Sequence, residues 1–260
     1  MDYWARRNIL AQRNVSELNI QEIERKLIKY YKKAQKEIIG QFIETYNKVL
    51  LSITDGRAPT AADLYKLDTY WQGQAQLRDI LKELGNKEAE LLSAAFIKQY
   101  ADIYQAIAIP GAEAFNTLDM TMAAQVIESI WAADGKAWSE RIWDNTARLA
   151  QTLEDEMIHC VIAGKKTTDL KKLLQARFDV SYRRADMLVR TEMAHITTTA
   201  AQKRYEDAGV SEIEVWADKD ERRCEHCGEL HMKRFPINGK IPIPAHPNCR
   251  CNILPVVEID

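Results

Sequence analysis

The chain has 260 residues, of which 46% are hydrophobic and 28% charged, and its formal net charge is −2 at pH 7. These values are typical of a soluble protein with a sizeable core, and they exclude nucleic-acid binding through a global basic field. No apolar run reaches the roughly 18 residues of a membrane helix, and no apolar stretch follows the charged start of the chain. We therefore expect no membrane contact, no signal peptide and a cytosolic site of synthesis.

Apolar residues recur at three- and four-residue steps up to about residue 208, which predicts a succession of helices. Thr60 is expected to cap the second helix, with Asp63 completing a capping box, and Gly85 with Asn86 is expected to end it. Loops are predicted at 54–59 and 110–111. The other helices are predicted from Asn19 to Leu51, Lys87 to Ile109, near Asp119, Trp138 to Gly164, Thr167 or Thr168 to Phe178, and Ser181 to Tyr205.

The pattern changes after Gly209. Residues 213–217 alternate apolar and polar and predict a strand, and residues 252–257 predict a second strand, in which Pro255 favours a sheet edge. Four of the seven prolines lie between Pro236 and Pro247, so the segment between these strands is expected to be irregular.

Four of the five cysteines lie in this tail and form two clusters with the spacing of a metal site. Cys224 and Cys227 form a C-x-x-C pair, and after 18 residues comes the sequence His-Pro-Asn-Cys-Arg-Cys at 246–251. Two thiolates three residues apart can reach one ion from a tight turn, for which Gly228 is expected to supply a positive φ. In a cytosol such cysteines are more often metal ligands than disulfides. We therefore predict a structural zinc ion in the tail.

Zinc takes four ligands, whereas five candidates are present: Cys224, Cys227, His246, Cys249 and Cys251. Sequence alone leaves open whether His246 or Cys249 is the spare residue. A full ligand set leaves no position for water, so the site is expected to be structural rather than catalytic. The alternatives are four free cysteines beside a surface histidine, or a disulfide such as Cys224–Cys251. Cys160, in a helical segment, is predicted to be a buried thiol.

The predicted fold is mainly α, with an extended helical body followed by a small zinc-bound α+β C-terminal unit. We divide the chain into a long-helix N-terminal region at 1–120, a helical body at 121–208 and a zinc-binding unit at 209–260.

The order of motifs in the second half of the chain carries a resemblance to a known family. Arg190-Thr191-Glu192 opens a helical segment to Tyr205, Trp216 and an acidic stretch precede the C-x-x-C pair, and His-Pro-Asn-Cys-Arg-Cys follows at 246–251. From about Trp138 to Val257 the sequence resembles the phage Mu F-like minor head proteins, also called phage head morphogenesis proteins. A histidine is common in that family at the last ligand position, where this chain has Cys251, and this favours Cys251 as a ligand.

The resemblance implies a minor protein of the capsid interior of a tailed bacteriophage, in the host cytoplasm during assembly. It implies contact with the portal protein, and we consider the major capsid protein, a scaffolding protein and non-specific DNA as further partners. We expect the apolar stripe of the long N-terminal helices to form the partner-binding surface.

Two charged features lie outside the cysteine clusters. Arg190 and Glu192 are predicted to form an internal ion pair that joins the last helix to the tail, rather than a catalytic acid with an arginine clamp. Between Lys165 and Arg190 there are eight basic and three acidic residues, which could contact DNA phosphates without reading sequence. The alternative for this region is a solvated helix face. Six residues are taken as the candidate DNA contacts: Lys165, Lys166, Lys171, Lys172, Arg183 and Arg184.

Two enzyme hypotheses compete with the structural one. The His-Cys cluster with Asn248 is distantly similar to metal nucleases of the HNH type, but the cysteines would saturate the metal. Arg190 with Glu212-Ile213-Glu214 is distantly similar to the Arg…Glu-x-Glu pattern of ADP-ribosyltransferases. Because neither pattern is specific, we predict a protein without catalytic residues.

Overall fold

A computed structural model describes residues 3–52, 60–109 and 120–257. The described residues form mainly helices, and a few short strands lie near the C-terminus, so the predicted mainly α class is confirmed. The loops predicted at 54–59 and 110–111 and the helix start near Asp119 fall outside the described residues. The elements are α1 (Tyr3–Ser52), α2 (Ala61–Tyr65), α3 (Asp68–Ala106), α4 (Met120–Glu128), α5 (Trp138–Ile162), α6 (Thr167–Asp207), β1 (Glu212–Trp216), α7 (Glu225–Leu230), β2 (Arg234–Pro236) and β3 (Asn252–Pro255).

Three helices are longer than the sequence pattern predicts. Helix α1 begins at Tyr3 rather than Asn19, and α6 runs without interruption past Ser181, because no glycine or proline separates its two predicted halves. Helix α3 continues through Gly85 and Asn86, so the predicted helix end there is wrong. A Cβ at position 85 would lie 2.7 Å from the Trp143 ring. Gly85 is therefore required for close packing of Trp143 rather than for a helix C-terminus.

The three strands form one antiparallel sheet in the order β2-β1-β3. Ile213 is opposite Phe235 on β2 and Pro255 on β3, so β1 is the central strand. Pro255 therefore lies on an edge strand, as predicted. Ile213 and Val215 are fully buried, whereas the glutamates that alternate with them are exposed (Glu212) or half-buried (Glu214).

Cα packing divides the chain into two compact units, to which α1, α3 and α6 each contribute residues. Unit 1 comprises Met1–Glu24, Leu91–Trp138 and Met187–Asp260, and unit 2 comprises Arg25–Glu90 and Ser139–Asp186. The division of the sequence at residues 120 and 208 stays a prediction, because it rests on sequence character rather than on packing.

The core of unit 2 combines an apolar cluster with a buried polar group. Large buried side chains from α1, α3, α5 and α6, among them Phe42, Leu81 and Phe178, pack together. Within the unit, Glu88 is 1% exposed and its Oε2 accepts a hydrogen bond of 3.1 Å from the Tyr31 hydroxyl, while its Oε1 has no hydrogen-bond partner. Burial raises the pKa of Glu88 to about 7, and the hydrogen bond from Tyr31 opposes that rise.

In unit 1 the start of α1 is bound to the C-terminal sheet. Gln12 donates a hydrogen bond of 2.9 Å from Nε2 to the carbonyl oxygen of Ile253 on β3, and Arg13 forms an ion pair with Asp218. Ile9, Ile20 and Ile23 are also buried. The apolar stripe of α1 is therefore covered by the chain itself, which removes the reason for expecting that stripe to be the partner-binding surface. Among the described residues, no helix combines the length and apolarity needed to cross a membrane.

Candidate metal centre

The two predicted ligand clusters meet beside the sheet of unit 1. Cys224 is the N-cap of α7, and its Sγ accepts a hydrogen bond of 3.3 Å from the backbone N–H of Cys227. The second cluster lies in the segment between β2 and β3, with Cys251 directly before β3. Gly228 lies within α7, so the positive φ expected there is wrong; instead Asn248 has a φ of 59°.

The donor atoms fall into two groups that share Cys227. Cys224, Cys227 and His246 form one group, and Cys227, Cys249 and Cys251 form the other, with the donor atoms of each group within 4.8 Å of one another. The Nε2 atom of His246 lies 3.4 Å from Cys224 Sγ and 3.2 Å from Cys227 Sγ. Cys227 Sγ lies 3.9 Å from Cys249 Sγ. The fold thus brings all five predicted residues together.

These distances match those between the ligands of a tetrahedral ion. With metal–sulfur bonds near 2.3 Å and metal–nitrogen bonds near 2.0 Å, ligand atoms in a tetrahedron lie roughly 3.5–3.8 Å apart. The three distances in the site, 3.2, 3.4 and 3.9 Å, lie close to this range. The cluster could therefore hold a metal ion.

The His246 ring is oriented as a metal-ligating histidine usually is. Its Nδ1 lies 2.8 Å from the carbonyl oxygen of Pro247. Since a carbonyl oxygen can only accept, Nδ1 carries the proton, and the lone pair of Nε2 is directed to the thiols of Cys224 and Cys227. A hydrogen bond from the second ring nitrogen to a backbone carbonyl is the common way in which proteins fix the tautomer of such a ligand.

The thiols divide into acidic and weakly acidic groups. The backbone N–H of Cys227 lowers the pKa of Cys224, and a hydrogen bond from Cys251 lowers the pKa of Cys249 to about 5. Burial raises the pKa of Cys227 to about 12, and the neighbouring Cys249 raises the pKa of Cys251. Several thiolates cannot share so small a space unless a cation compensates their charge, which is what a bound metal ion does.

Two polar contacts hold the second cluster in place. Arg250, between Cys249 and Cys251, forms a bidentate ion pair with Asp220 at 2.7 and 2.8 Å, which joins the two ligand segments. The backbone N–H of Asn248 donates a hydrogen bond of 3.1 Å to the Thr191 hydroxyl on α6. Sequence reasoning did not identify Thr191 or Asp220, although the Arg-Thr-Glu motif contains the first of them.

The three residues of that motif contact three different segments of unit 1. Arg190 forms an ion pair with Glu24 on α1, and Thr191 accepts from Asn248. Glu192 accepts a hydrogen bond of 2.8 Å from Trp131, whose ring stacks on His195 at 4.3 Å. The pairing of Arg190 with Glu192 stays a prediction, but the contact of this motif with the tail runs through Thr191.

The remaining candidate residues lie away from the cysteines or in structural roles. Cys160 is fully buried in unit 2, as predicted. Of the two glutamates on β1 that were compared with ADP-ribosyltransferases, Glu214 forms an ion pair with Arg234, with 3.8 Å between Oε2 and Nε, and Glu212 is exposed. All six candidate DNA contacts are exposed residues of unit 2: Lys165, Lys166, Lys171, Lys172, Arg183 and Arg184.

Comparison with known proteins relates the chain to an enzyme and to a phage family. It is 26% identical over 144 residues to the NAD(+)–arginine ADP-ribosyltransferase EFV of Enterococcus faecalis, a match that covers 48% of this chain and 29% of that protein. The chain thus spans less than a third of the curated relative. No solved structure matches it.

The family match coincides with the segment that contains the metal-site residues. Residues 151–254 match the family described as Phage Mu protein F like protein. This segment begins in α5, includes α6 with its Arg-Thr-Glu motif and ends on β3, so it contains the five clustered candidate ligands and Thr191. Through this segment, which is about two fifths of the chain, the protein is similar to the Phage Mu protein F-like family.

Proposed function

We propose that this chain is a minor head protein of a tailed bacteriophage, placed in the capsid interior, with a structural rather than catalytic role in head morphogenesis and genome delivery. The observation that carries the proposal is the family match over residues 151–254, which coincides with the only segment of the described chain that contains a cysteine-histidine cluster. That family supports contact with other virion components, and we propose the portal protein as the main partner.

Zinc is the ion that we propose for the cluster. Thiolate and imidazole donors at tetrahedral spacing suit zinc, whereas magnesium and calcium prefer oxygen ligands. We propose Cys224, Cys227 and His246 as three of the ligands and Cys249 or Cys251 as the fourth. Cys227, Cys249 and Cys251 are buried, whereas Cys224 is exposed and His246 is half-buried, so the ion would lie near the surface, closed to water by four protein ligands rather than by burial. Such a closed site stabilises the tail and leaves no position for a substrate.

The experiment that tests the function is co-purification of the whole chain with the portal protein of the same phage, with the major capsid and scaffolding proteins offered separately. Truncation of the first 60 residues is unsuitable, because α1 contributes to the packing of both units. Cys224→Ala with Cys227→Ala would disrupt the metal site, and Cys160→Ala is the cysteine control. Failure of the wild-type chain to bind any head component would contradict the proposal.

Non-specific DNA contact is proposed for the six basic residues of unit 2. Exposed lysine and arginine side chains release counterions when they bind phosphates, so DNA retention should weaken as salt rises. Replacement of Lys171, Lys172 and Arg184 by glutamine should reduce the slope of log affinity against log salt by up to about 3. The matched control replaces three exposed lysines of α1, Lys29, Lys32 and Lys36. Equal slopes in the two triple variants would contradict a contact through α6.

ADP-ribosyl transfer is the second candidate function, and the named relative from Enterococcus faecalis is the observation that favours it. Incubation with labelled NAD and an arginine-containing acceptor tests it, with Glu214→Gln as the variant and Glu225→Gln as an exposed control. Label transfer that requires Glu214 would establish an enzyme in place of a purely structural protein. Plasmid with Mg²⁺ in a parallel incubation tests the nuclease hypothesis by nicking.

A further inference from the structure

Thr191 is the feature of unit 1 that connects α6 to the ligand-bearing loop. Its hydroxyl donates a hydrogen bond of 2.7 Å to the carbonyl oxygen of Met187, one turn earlier on α6. The same oxygen accepts the N–H of Asn248 at 3.1 Å. Because the donated bond fixes the direction of the hydroxyl proton, the lone pairs of the oxygen remain available to the loop. One hydroxyl thereby bridges a rigid helix and a segment without regular secondary structure.

Asn248 occupies the strained point of that loop. Its φ of 59° is a left-handed conformation that few non-glycine residues adopt, although asparagine tolerates it better than most. The next N–H, of Cys249, closes the turn by a hydrogen bond of 3.1 Å to the carbonyl oxygen of His246. The turn 246–249 therefore places one candidate ligand at each end, with the Thr191 contact between them.

We propose that Thr191 is a positioning residue for the metal site, which holds the turn 246–249 in its ligand-presenting conformation before the ion binds. This inference rests on the zinc site proposed above. A turn that is already ordered loses less conformational freedom when His246 binds the metal, so metal binding is tighter. Without the hydroxyl, the Asn248 N–H has no fixed acceptor on α6, and the turn can relax out of its left-handed conformation.

The expected effect is a change in metal affinity and release rate. Loss of a hydrogen bond outside the ligand shell typically weakens metal binding by about 10–100-fold. Thr191→Val keeps the branched shape but removes the hydroxyl, so it should release zinc at least about 10-fold faster. Thr191→Ser keeps the hydroxyl and should restore release to within a few-fold of the wild-type rate.

The experiment measures zinc release from the purified, zinc-loaded whole chain to a chromogenic chelator, and the absorption spectrum of the Co²⁺-substituted chain. Thr199→Val is the matched control. Thr199 lies on α6 eight residues after Thr191, and its hydroxyl donates the same type of hydrogen bond, of 3.0 Å, to the carbonyl oxygen of His195. Thr191→Ala replaces Thr191→Val if the valine variant does not fold. Faster release and an altered Co²⁺ spectrum in the Thr191 variants alone would support the proposal.

Two other outcomes are distinguishable. If Thr191→Val, Thr191→Ser and Thr199→Val all release zinc at the wild-type rate, the positioning role is overturned while the zinc site stands. If the wild-type chain binds neither zinc nor Co²⁺, the zinc site itself is wrong, and the role of Thr191 is overturned with it.

Discussion

The indole Nε1–H of Trp131 donates a hydrogen bond of 2.8 Å to Glu192 Oε2, and Glu192 is only 3% exposed. This bond connects the segment after α4 to α6 in unit 1. Because Glu192→Ala removes the acceptor of the half-buried Trp131 N–H, it should lower the free energy of unfolding by about 1 kcal/mol. Glu192→Gln, which keeps an acceptor oxygen, should lose less. Urea denaturation measures both, and equal stabilities of the alanine variant and the wild type would contradict a structural role.

Glu88 predicts a pH dependence of stability. Its pKa is about 7 in the folded chain against an ordinary value of 4.5, because burial disfavours the carboxylate. Between these values the folded state binds more protons than the unfolded state, so this contribution to stability is complete below pH 4.5 and is lost as the pH rises through 7. The shift corresponds to about 3 kcal/mol.

Urea denaturation of wild type and Glu88→Gln from pH 4 to pH 8 measures this contribution. The glutamine variant cannot ionise, so its stability should rise relative to the wild type by up to about 3 kcal/mol across that range. Glu90→Gln, at an exposed position on the same helix, should follow the wild-type curve. Parallel curves for wild type and Glu88→Gln would show that Glu88 is not the responsible group.

Two helical glycines should respond oppositely to alanine. A Cβ at Gly40 meets nothing within 4 Å, so Gly40→Ala should stabilise the chain by about 0.5–1 kcal/mol through helix propensity. At Gly85 the same Cβ would lie 2.7 Å from the Trp143 ring, and the overpacking should outweigh that gain, with a net loss of about 1 kcal/mol. Thermal unfolding of the two variants checks the sign, and an equal gain at both sites would contradict the packing role of Gly85.

Metal content should depend on the clustered cysteines and not on Cys160. The purified chain should contain one zinc ion, as measured by elemental analysis, and single alanine replacements of Cys224 or Cys227 should remove it. Cys160→Ala, at a fully buried thiol of unit 2, should retain the metal. Chelation should lower the melting temperature of the wild type and of Cys160→Ala. If the wild type contains no metal and its melting temperature does not change on addition of a chelator, the structural zinc site is contradicted.

Features with a local cause were predictable from the sequence. The capping box of Thr60 and Asp63 depends on residues three apart, and the structure contains both of its hydrogen bonds. Gly209 ends α6 with a φ of 78°, as glycine after a helix commonly does. The spacing of the cysteines also predicted the cluster, because cysteines two or three residues apart can reach the same ion from one turn of the chain.

Features with a distant cause were not predictable. The sequence around Gly85 is typical of a helix end, but the glycine is needed because it packs against Trp143. Trp143 lies 58 positions away in the sequence, so this packing cannot be seen from the local pattern. Strand β2 has only three residues, one of them proline, and it forms because it pairs with β1. The contact of Thr191 with Asn248 joins residues 57 positions apart. Neither residue type indicates such a contact by itself.

The hydrogen bond from Gln12 to Ile253 joins residues 241 positions apart in the chain. A ribosome that adds about 5–20 residues per second makes the second residue roughly 10–50 s after the first. During that interval the first turns of α1, with Ile9 and Gln12, have been synthesised but have no strand to bind. Unit 1 can therefore be completed only after Ile253 has been made. A polypeptide whose synthesis stops before Asn252 would present the start of α1 to neighbouring chains and to chaperones.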